Sequence, residues 1–461
     1  MSIFYKSCQY ILIFWGIIIR VRQYLSIRSL WLDEACLGLN LMEKSYSGLA
    51  GPLDYNQAAP MLFLYTVKFL GQVFGYSELV LRFVPLLAGV FSILLFYLIM
   101  RRMFDEKTVC LGLFFFVFSG PLIYYSQELK PYSTDVFWLL LFFLCVSKHH
   151  QWNWKYSLLL GLAGSVSLLC SFPAVFVILA FSFYLGILYY NTREKMILIP
   201  LLSWMVAVAV FIFFILGNAN NSMLREYWNF AFVQLPLDMA SLERNAHILA
   251  NVVQFAGIPF ISVSLGIILF LSGLFRLRSK PDIAVLIFLV LIAALFASMI
   301  GFYPFSGRMI LFLLPLFYMS VAYGLSCLST SKHVLFWLCV LFLLVPFLKQ
   351  GITLSIKPFE MEEIKPLLEK YNENKQNDTH LFLYPKAVPA FRFYRSNYHI
   401  KDEEYTIGIP DSIPALTRTQ FWILYTHRQR NHEYPQYSGW DKTVYEETGA
   451  SLIRYNKQSR Y

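Results

Sequence analysis

Eleven stretches of this sequence are apolar for long enough to cross a lipid bilayer, and that limits the fold more than any other feature. A hydrocarbon core about 30 Å thick takes roughly 20 apolar residues per helix. Without water in that core, only helices or closed barrels satisfy their own backbone. The runs lie near 8–25, 84–100, 108–124, 133–147, 156–171, 173–190, 196–217, 255–275, 282–300, 309–329 and 333–349. Ser171-Phe172-Pro173 divides 156–190, which is too long for one span, so two are expected there. The first run has no small-x-small cleavage site after it, and Arg20 and Arg22 fall at its end. It reads as a retained anchor, not a removed signal peptide.

Composition agrees. The chain of 461 residues is 57% hydrophobic and 14% charged, where an ordinary soluble domain carries roughly 25% charged residues. Its mean hydropathy is +0.54. The 38 Lys and Arg against 28 Asp and Glu leave +10, and position explains the excess. Lys6, Arg101, Arg102, Lys107, Lys148, Lys155, Arg193, Lys195, Arg276, Arg278, Lys280 and Lys332 precede the first span or follow every second one, with only Asp105, Glu106, Glu194 and Asp282 among them. By the positive-inside rule that face is cytoplasmic. The N-terminus is then inside and the C-terminus outside a plasma or inner membrane. The charge is topological, so no nucleic-acid partner is expected; membrane lipids are.

Seven cysteines lie mostly in apolar runs and read as packing residues. Eight histidines show no metal-ligand spacing.

Past about residue 350 the character changes. Residues 351–461 hold 29 of the 66 charged side chains and alternate short β-rich runs (Thr379–Tyr384, Gln420–Thr426, Ala450–Tyr455) with helix-compatible ones (Glu360–Tyr371, Ala387–Arg395). This reads as a small extracytoplasmic α/β domain after a membrane module over 1–350. The fold class expected is an all-α polytopic membrane protein with that domain appended.

Chemistry is sought in the loops of the outer face. The long first loop, 26–83, holds Trp31-Leu32-Asp33-Glu34-Ala35, Asp54-Tyr55-Asn56-Gln57-Ala58-Ala59-Pro60, an amphipathic stretch from Met61 to Phe74, and Ser77-Glu78 with Arg82. The second reads Tyr124-Tyr125-Ser126-Gln127-Glu128-Leu129-Lys130-Pro131-Tyr132, and a later one Tyr303-Pro304-Phe305-Ser306-Gly307-Arg308. Asp33-Glu34 suits a helix start, where acids meet the positive end of the dipole. It also suits a general base, because burial in an apolar setting raises the basicity of at least one carboxylate. Glu128 and Lys130 fit a solvated turn or a site. Arg308, Arg82 and Lys68 fit snorkelling to headgroups or phosphate pairing. Asp135, in the first turn of a span, suits a helix cap or a partner to the site.

Taken in order, Leu30-Trp31-Leu32-Asp33-Glu34-Ala35, Tyr55-Asn56-Gln57-Ala58-Ala59-Pro60, Ser77-Glu78, Leu81-Arg82-Phe83-Val84-Pro85, Tyr125–Tyr132 and Tyr303–Arg308 with Leu311–Pro315 carry a resemblance. They resemble the polyprenol-phosphate-sugar glycosyltransferases of the GT-C superfamily, in the branch of the dolichyl-phosphate-mannose protein mannosyltransferases and the bacterial aminoarabinose transferase of lipid A. Lys130 stands where many members have Arg. The likeness covers about residues 10–330.

The resemblance implies transfer of a sugar from a polyprenyl-phosphate donor to an extracytoplasmic lipid, glycan or protein, by single displacement with inversion. Asp33 would be the general base, Glu34 would orient it or bind acceptor, and Glu128 would stand in the same cavity. Lys130, Arg308 and Arg82 would hold the phosphate, with Tyr55, Tyr132 and Tyr303 as hydroxyl donors. Gln57 and Gln127 would face acceptor or sugar. No histidine-rich metal site is expected, and a divalent ion on Asp33, Glu34 or Glu128 is left open. The rival from another class is a secondary transporter or lipid-linked sugar flippase. Such proteins carry ionisable groups at mid-helix and often two matching halves, whereas here nearly all charges of the membrane half sit at helix ends or in loops.

Overall fold

The computed structural model describes residues 2–146, 152–218, 226–331, 333–376, 379–409, 419–427 and 433–458; Lys148, His149, His150 and Lys332 lie outside them. Each expected apolar run carries a helix. These are α1 (Ser2–Leu25), Glu78–Met103, Glu106–Phe118 with its continuation, Tyr132–Val146, Trp154–Cys170, Ala174–Thr192, Leu198–Asn218, Val263–Leu277, Pro281–Met299, Leu314–Ser331 and His333–Ile356. Among the described residues, eight helical segments are long and apolar enough alone to cross a membrane, and a bent pair makes a ninth. Tyr132–Cys145 and Trp154–Cys170 are apolar but shorter. Leu202, Met205, Val206, Val210 and Phe213 stand exposed along one helix, a surface that water would not tolerate and lipid does. The protein is a multi-pass membrane protein.

Local sequence explains the breaks that matter. The helix of 154–170 ends before Ser171, whose hydroxyl accepts the Ala174 N–H at 3.2 Å, and the next begins at Ala174. The run 108–124, expected to be one span, is instead bent by 58° after Phe118. Ser119 caps the new start by accepting the Leu122 N–H, and Pro121 lacks an amide to continue the old one. The turned half, 120–127, leads directly into Glu128 and Lys130.

The C-terminal domain starts later than the composition suggests, because the last long helix runs on to Ile356. It contains helices Lys365–Asn374 and Val388–Tyr394 and strands β1 (His380–Leu383), β2 (Tyr405–Ile407), β3 (Gln420–Thr426), β4 (Trp440–Glu447) and β5 (Ala450–Lys457). The sheet order is β2-β1-β3-β5-β4, with β2, β1 and β3 parallel and β5 and β4 joined antiparallel. The three anticipated strands form its centre; β2 and β4 are edges. Charged, half-exposed edges such as Trp440–Glu447 blunt further strand pairing, and the same charges hide them from hydropathy.

Helix α2 (Leu32–Glu43) packs between this domain and the membrane half, whose Leu64, Val67 and Leu81 lie in the same core. Its Leu37, Leu39 and Leu41 share one core with Leu367, Phe391 and Trp422. Among the described residues all seven cysteines are free thiols.

Candidate active site

Asp33 and Glu34 occupy the first turn of α2, and both are acids at the positive helix end, as the sequence suggests. Their surroundings differ. Glu34 is fully buried. Its Oε1 accepts the Arg82 Nε–H and the Leu129 N–H, both at 2.8 Å. Its Oε2 accepts from Arg82 Nη2 at 2.7 Å and Arg28 Nη1 at 3.3 Å. Burial pushes this carboxyl up, but the charges of Arg82 and Arg28 and the hydrogen bonds outweigh it and hold it below its usual range. Arg82 also donates to the carbonyls of Arg28 (2.8 Å) and Ser29 (3.1 Å). Glu34 and Arg82 tie α2, the segment before it, the helix 78–103 and the loop at Leu129 into one buried knot.

Asp33 is about one-fifth exposed and meets Arg308 Nη1 at 2.7 Å. Burial raises its carboxyl, while the charges of Lys130 and Arg308 and hydrogen bonds from Arg308 and Gln57 lower it further, leaving it below the ordinary range. The expected rise in basicity within the Asp33-Glu34 pair is thus not found; it appears at Glu128. Glu128 is fully buried, accepts from Trp31 Nε1 at 3.2 Å through Oε1, and among the described residues has no partner for Oε2. Burial and the neighbouring Glu34 charge push it up to about 7.

The cations come from two loops. Lys130, nearly buried, donates to the Gln57 side-chain oxygen. Gln57 follows Tyr55 and Asn56, both in the left-handed region at φ 59° and 52°. Asn40 holds this strained turn, accepting the Asp54 N–H at 2.8 Å. Arg308 follows Gly307, whose φ of 51° only glycine adopts freely. The rings of Trp31, Tyr132 and Trp228 surround its guanidinium at 5.8, 5.8 and 5.7 Å, a cation–π cage.

Three more expected residues are placed elsewhere. The Tyr55 hydroxyl accepts from Arg392 of the C-terminal domain at 2.8 Å. Gln127 is buried and donates to Gln23 of α1 at 3.1 Å. Tyr303 donates its hydroxyl to the Met309 carbonyl at 2.8 Å, bracing the Arg308 turn from within. Asp135 bonds Ser171 through its side chain and leaves Oδ1 without a partner.

Sequence reasoning missed Arg28 and Trp228. The aromatic cluster Tyr227-Trp228-Asn229-Phe230 in a polar loop was the available signal for Trp228; Arg28 carried none. Among the described residues no three His, Cys, Asp or Glu side chains are grouped to hold a metal. A cavity of about 560 Å³ lies along the Trp228 loop, lined by Glu226, Asn229, Arg244 and Gly301. An apolar crevice of about 210 Å³, lined by Phe63, Val84, Phe91, Thr134 and Trp138, lies beside the helix that Tyr132 begins.

Residues 58–229, just over a third of the chain, match the model of the dolichyl-phosphate-mannose-protein mannosyltransferase family. The fold is similar to that of ArnT from Cupriavidus metallidurans in the apo state, with a TM-score of 0.51 and 11% identity over 94% of this chain and 96% of that one. It is equally similar to the same protein bound to undecaprenyl phosphate, at TM-score 0.51 and 10% identity over 98% and 97%. The archaeal oligosaccharyltransferase AglB from Archaeoglobus fulgidus aligns at TM-score 0.48 and 15% identity over 90% of this chain, which spans only 62% of AglB. A comparison with curated proteins finds no match. The matched segment lies in the membrane half, and the fold over nearly the whole chain is similar to that of ArnT.

Proposed function

We propose that this chain moves a sugar from a polyprenyl-phosphate donor to a lipid, glycan or protein acceptor on the extracytoplasmic face, in one inverting displacement. The observation that carries the reading is the Asp33–Arg308 pair at 2.7 Å, beside Lys130 and Gln57 and with one side left open.

In the reaction, the acceptor oxygen forms a bond to the anomeric carbon while the bond from that carbon to the phosphate oxygen breaks. The electron pair leaves with the phosphate, which gains a negative charge, and the acceptor proton passes to Asp33. Arg308 and Lys130 stabilise the charge that develops on the leaving group. Aromatic walls exclude water around Arg308 and strengthen that effect. Donor phosphate would also compete with Asp33 for Arg308. Asp33 is held as a weak base while paired, and phosphate binding would release it as the acceptor arrives. Glu128, holding its proton below about pH 7, would offer Oε2 to a sugar hydroxyl. The apolar crevice near Tyr132 suits a prenyl tail, and the cavity along the Trp228 loop suits part of the acceptor. The orientation follows from the basic loops.

The test is reconstitution. Purified protein in vesicles, given a panel of polyprenyl-phosphate sugars and an envelope extract, should yield a glycosylated product of inverted anomeric configuration. Retention of configuration would refute the single displacement. Absence of product with every donor in the panel would refute the assignment.

A further inference from the structure

Helix α2 carries Asp33 yet has no cap of its own, since Trp31 precedes it and makes no side-chain capping bond. The cap arrives from the far end of the chain. The Leu32 N–H donates to Glu362 Oε2 at 3.1 Å. The Ser29 N–H donates to both oxygens of Glu363, at 3.0 and 3.2 Å, and the Ser29 hydroxyl donates to Oε2 at 2.9 Å. The Leu30 N–H donates to the Tyr394 hydroxyl at 2.8 Å, and Lys365 Nζ donates to the Ile27 carbonyl. Glu362 is itself fixed from behind, with His427 Nδ1 2.8 Å from its other oxygen.

This segment does not hold itself. Ile27 is β-branched and sits at φ 49°, a strained conformation that persists only when its surroundings enforce it. The apolar face of α2 is likewise shared with the C-terminal domain, where a Cβ at Gly38 would stand 3.1 Å from the Phe393 ring. Asp33 thus sits on a helix held by the C-terminal domain as well as by the Glu34–Arg82 knot, while its partner Arg308 stands at the start of a membrane helix. A displacement of about 1 Å between reacting groups can cost a hundredfold in rate.

We infer that the C-terminal domain is a positioning element of the active site, in which Glu362, Glu363 and Tyr394 hold residues 29–32 and so set where Asp33 meets Arg308. The domain does not touch substrate through these residues. For catalysis the inference rests on the proposed glycosyl transfer; for the placement of α2 it does not.

Cys36, one turn beyond Asp33 and 4% exposed, separates the two. The experiment uses the full chain in detergent with a hydrophilic maleimide, and peptide mass spectrometry locates the label. Glu362→Ala and Glu363→Ala should speed labelling of Cys36 by about tenfold or more, as loss of a hydrogen bond to a charged group implies. Glu362→Gln, whose amide oxygen can still accept the Leu32 N–H, should stay close to wild type. Glu404→Gln, which alters a Lys375 pair elsewhere in the same domain, should not move it. Tyr394→Phe deletes one oxygen and keeps its buried ring, so it repeats the test in a form that folds. Where transfer is measured, the alanine variants should lose kcat with the donor KM unchanged, and Glu362→Gln should recover it. Wild-type protection of Cys36 in both Tyr394→Phe and Glu362→Ala would overturn the inference, whether or not a donor sugar is ever found.

Discussion

Asp33 and Glu34 are neighbours on one helical turn, yet they serve regions built on opposite lines. Around Glu34 each carboxylate oxygen accepts two hydrogen bonds, and Arg82 is committed to it. Around Asp33 a guanidinium is shared with three aromatic rings, Gln57 adds a hydrogen bond, and about 20% of the side chain stays exposed. Complete pairing in a dry setting leaves nothing for a ligand. Partial pairing beside a surplus of positive charge invites an anion. The difference between architecture and chemistry here is not residue type but the number of unspent valences.

The sharpest way to break that comparison is to neutralise each acid in turn. Asp33→Asn should lower transfer by about 10²–10⁴, the usual worth of a positioned base, with a much smaller loss of melting temperature than Glu34→Gln. Glu34→Gln should do the reverse in kind. It leaves Arg82 and Arg28 buried without their counter-charge, which costs about 3–5 kcal/mol of stability, and activity should fall only with the folded fraction. Thermal melts in detergent together with transfer per folded molecule distinguish them. Equal loss of stability in both variants would erase the contrast.

The arginines repeat the test at a smaller scale. Arg308→Ala should slow transfer by about 10²–10³, as removal of one charge-stabilising donor does, and Lys130→Ala should raise the donor KM. Arg82→Ala should destabilise without altering KM in the molecules that remain folded. A donor KM that moves with Arg82 and not with Arg308 would exchange their roles.

Much of this was legible in the sequence. Apolar runs gave the helices because a bilayer-spanning helix must be apolar along its whole length, and the Pro173 break was readable because proline and its neighbour end helices locally. The polar loops were also found, with Asp33, Glu128, Lys130 and Arg308 among them. What could not be read was partnership. Glu34 and Asp33 look alike in sequence, and only three-dimensional placement of Arg28 and Arg82 separates them. The 58° bend after Phe118 was hidden because hydropathy averages over a Ser-Gly-Pro interruption of three residues. The capping of α2 by Glu362 joins positions so distant in sequence that no local pattern records it. Strand β4 escaped for the opposite reason, since its exposed charged face has no hydrophobic alternation to see.

Glu128 sharpens the comparison through pH. Its carboxyl ionises near 7 in the fold, against roughly 4.3 for a free glutamate. Between those values the unfolded chain gives up the proton and the folded chain keeps it, so native stability falls as pH rises through the window and levels off above it. Glutamine does not titrate. Relative to Glu128→Gln, wild type should therefore lose melting temperature between about pH 5 and pH 7.5, and Asp33→Asn, which keeps Glu128, should lose it in the same window. Parallel curves for wild type and Glu128→Gln would mean that Oε2 has a partner.

The smallest effect belongs to Tyr303, and it decides where the phosphate-binding region ends. Its hydroxyl donates to the Met309 carbonyl across the turn that presents Arg308, so it acts on the turn and not on a ligand. Tyr303→Phe should cost about 0.5–1.5 kcal/mol, the net worth of one hydrogen bond, and leave the donor KM as it was. The ring stays packed against Phe176 at 5.1 Å, which keeps the turn in place and isolates the hydroxyl as the variable. A raised donor KM in Tyr303→Phe, with Arg308 still holding Asp33, would mean that the hydroxyl leaves Met309 for the phosphate, and the boundary between scaffold and site would then run beneath Tyr303 instead of above it.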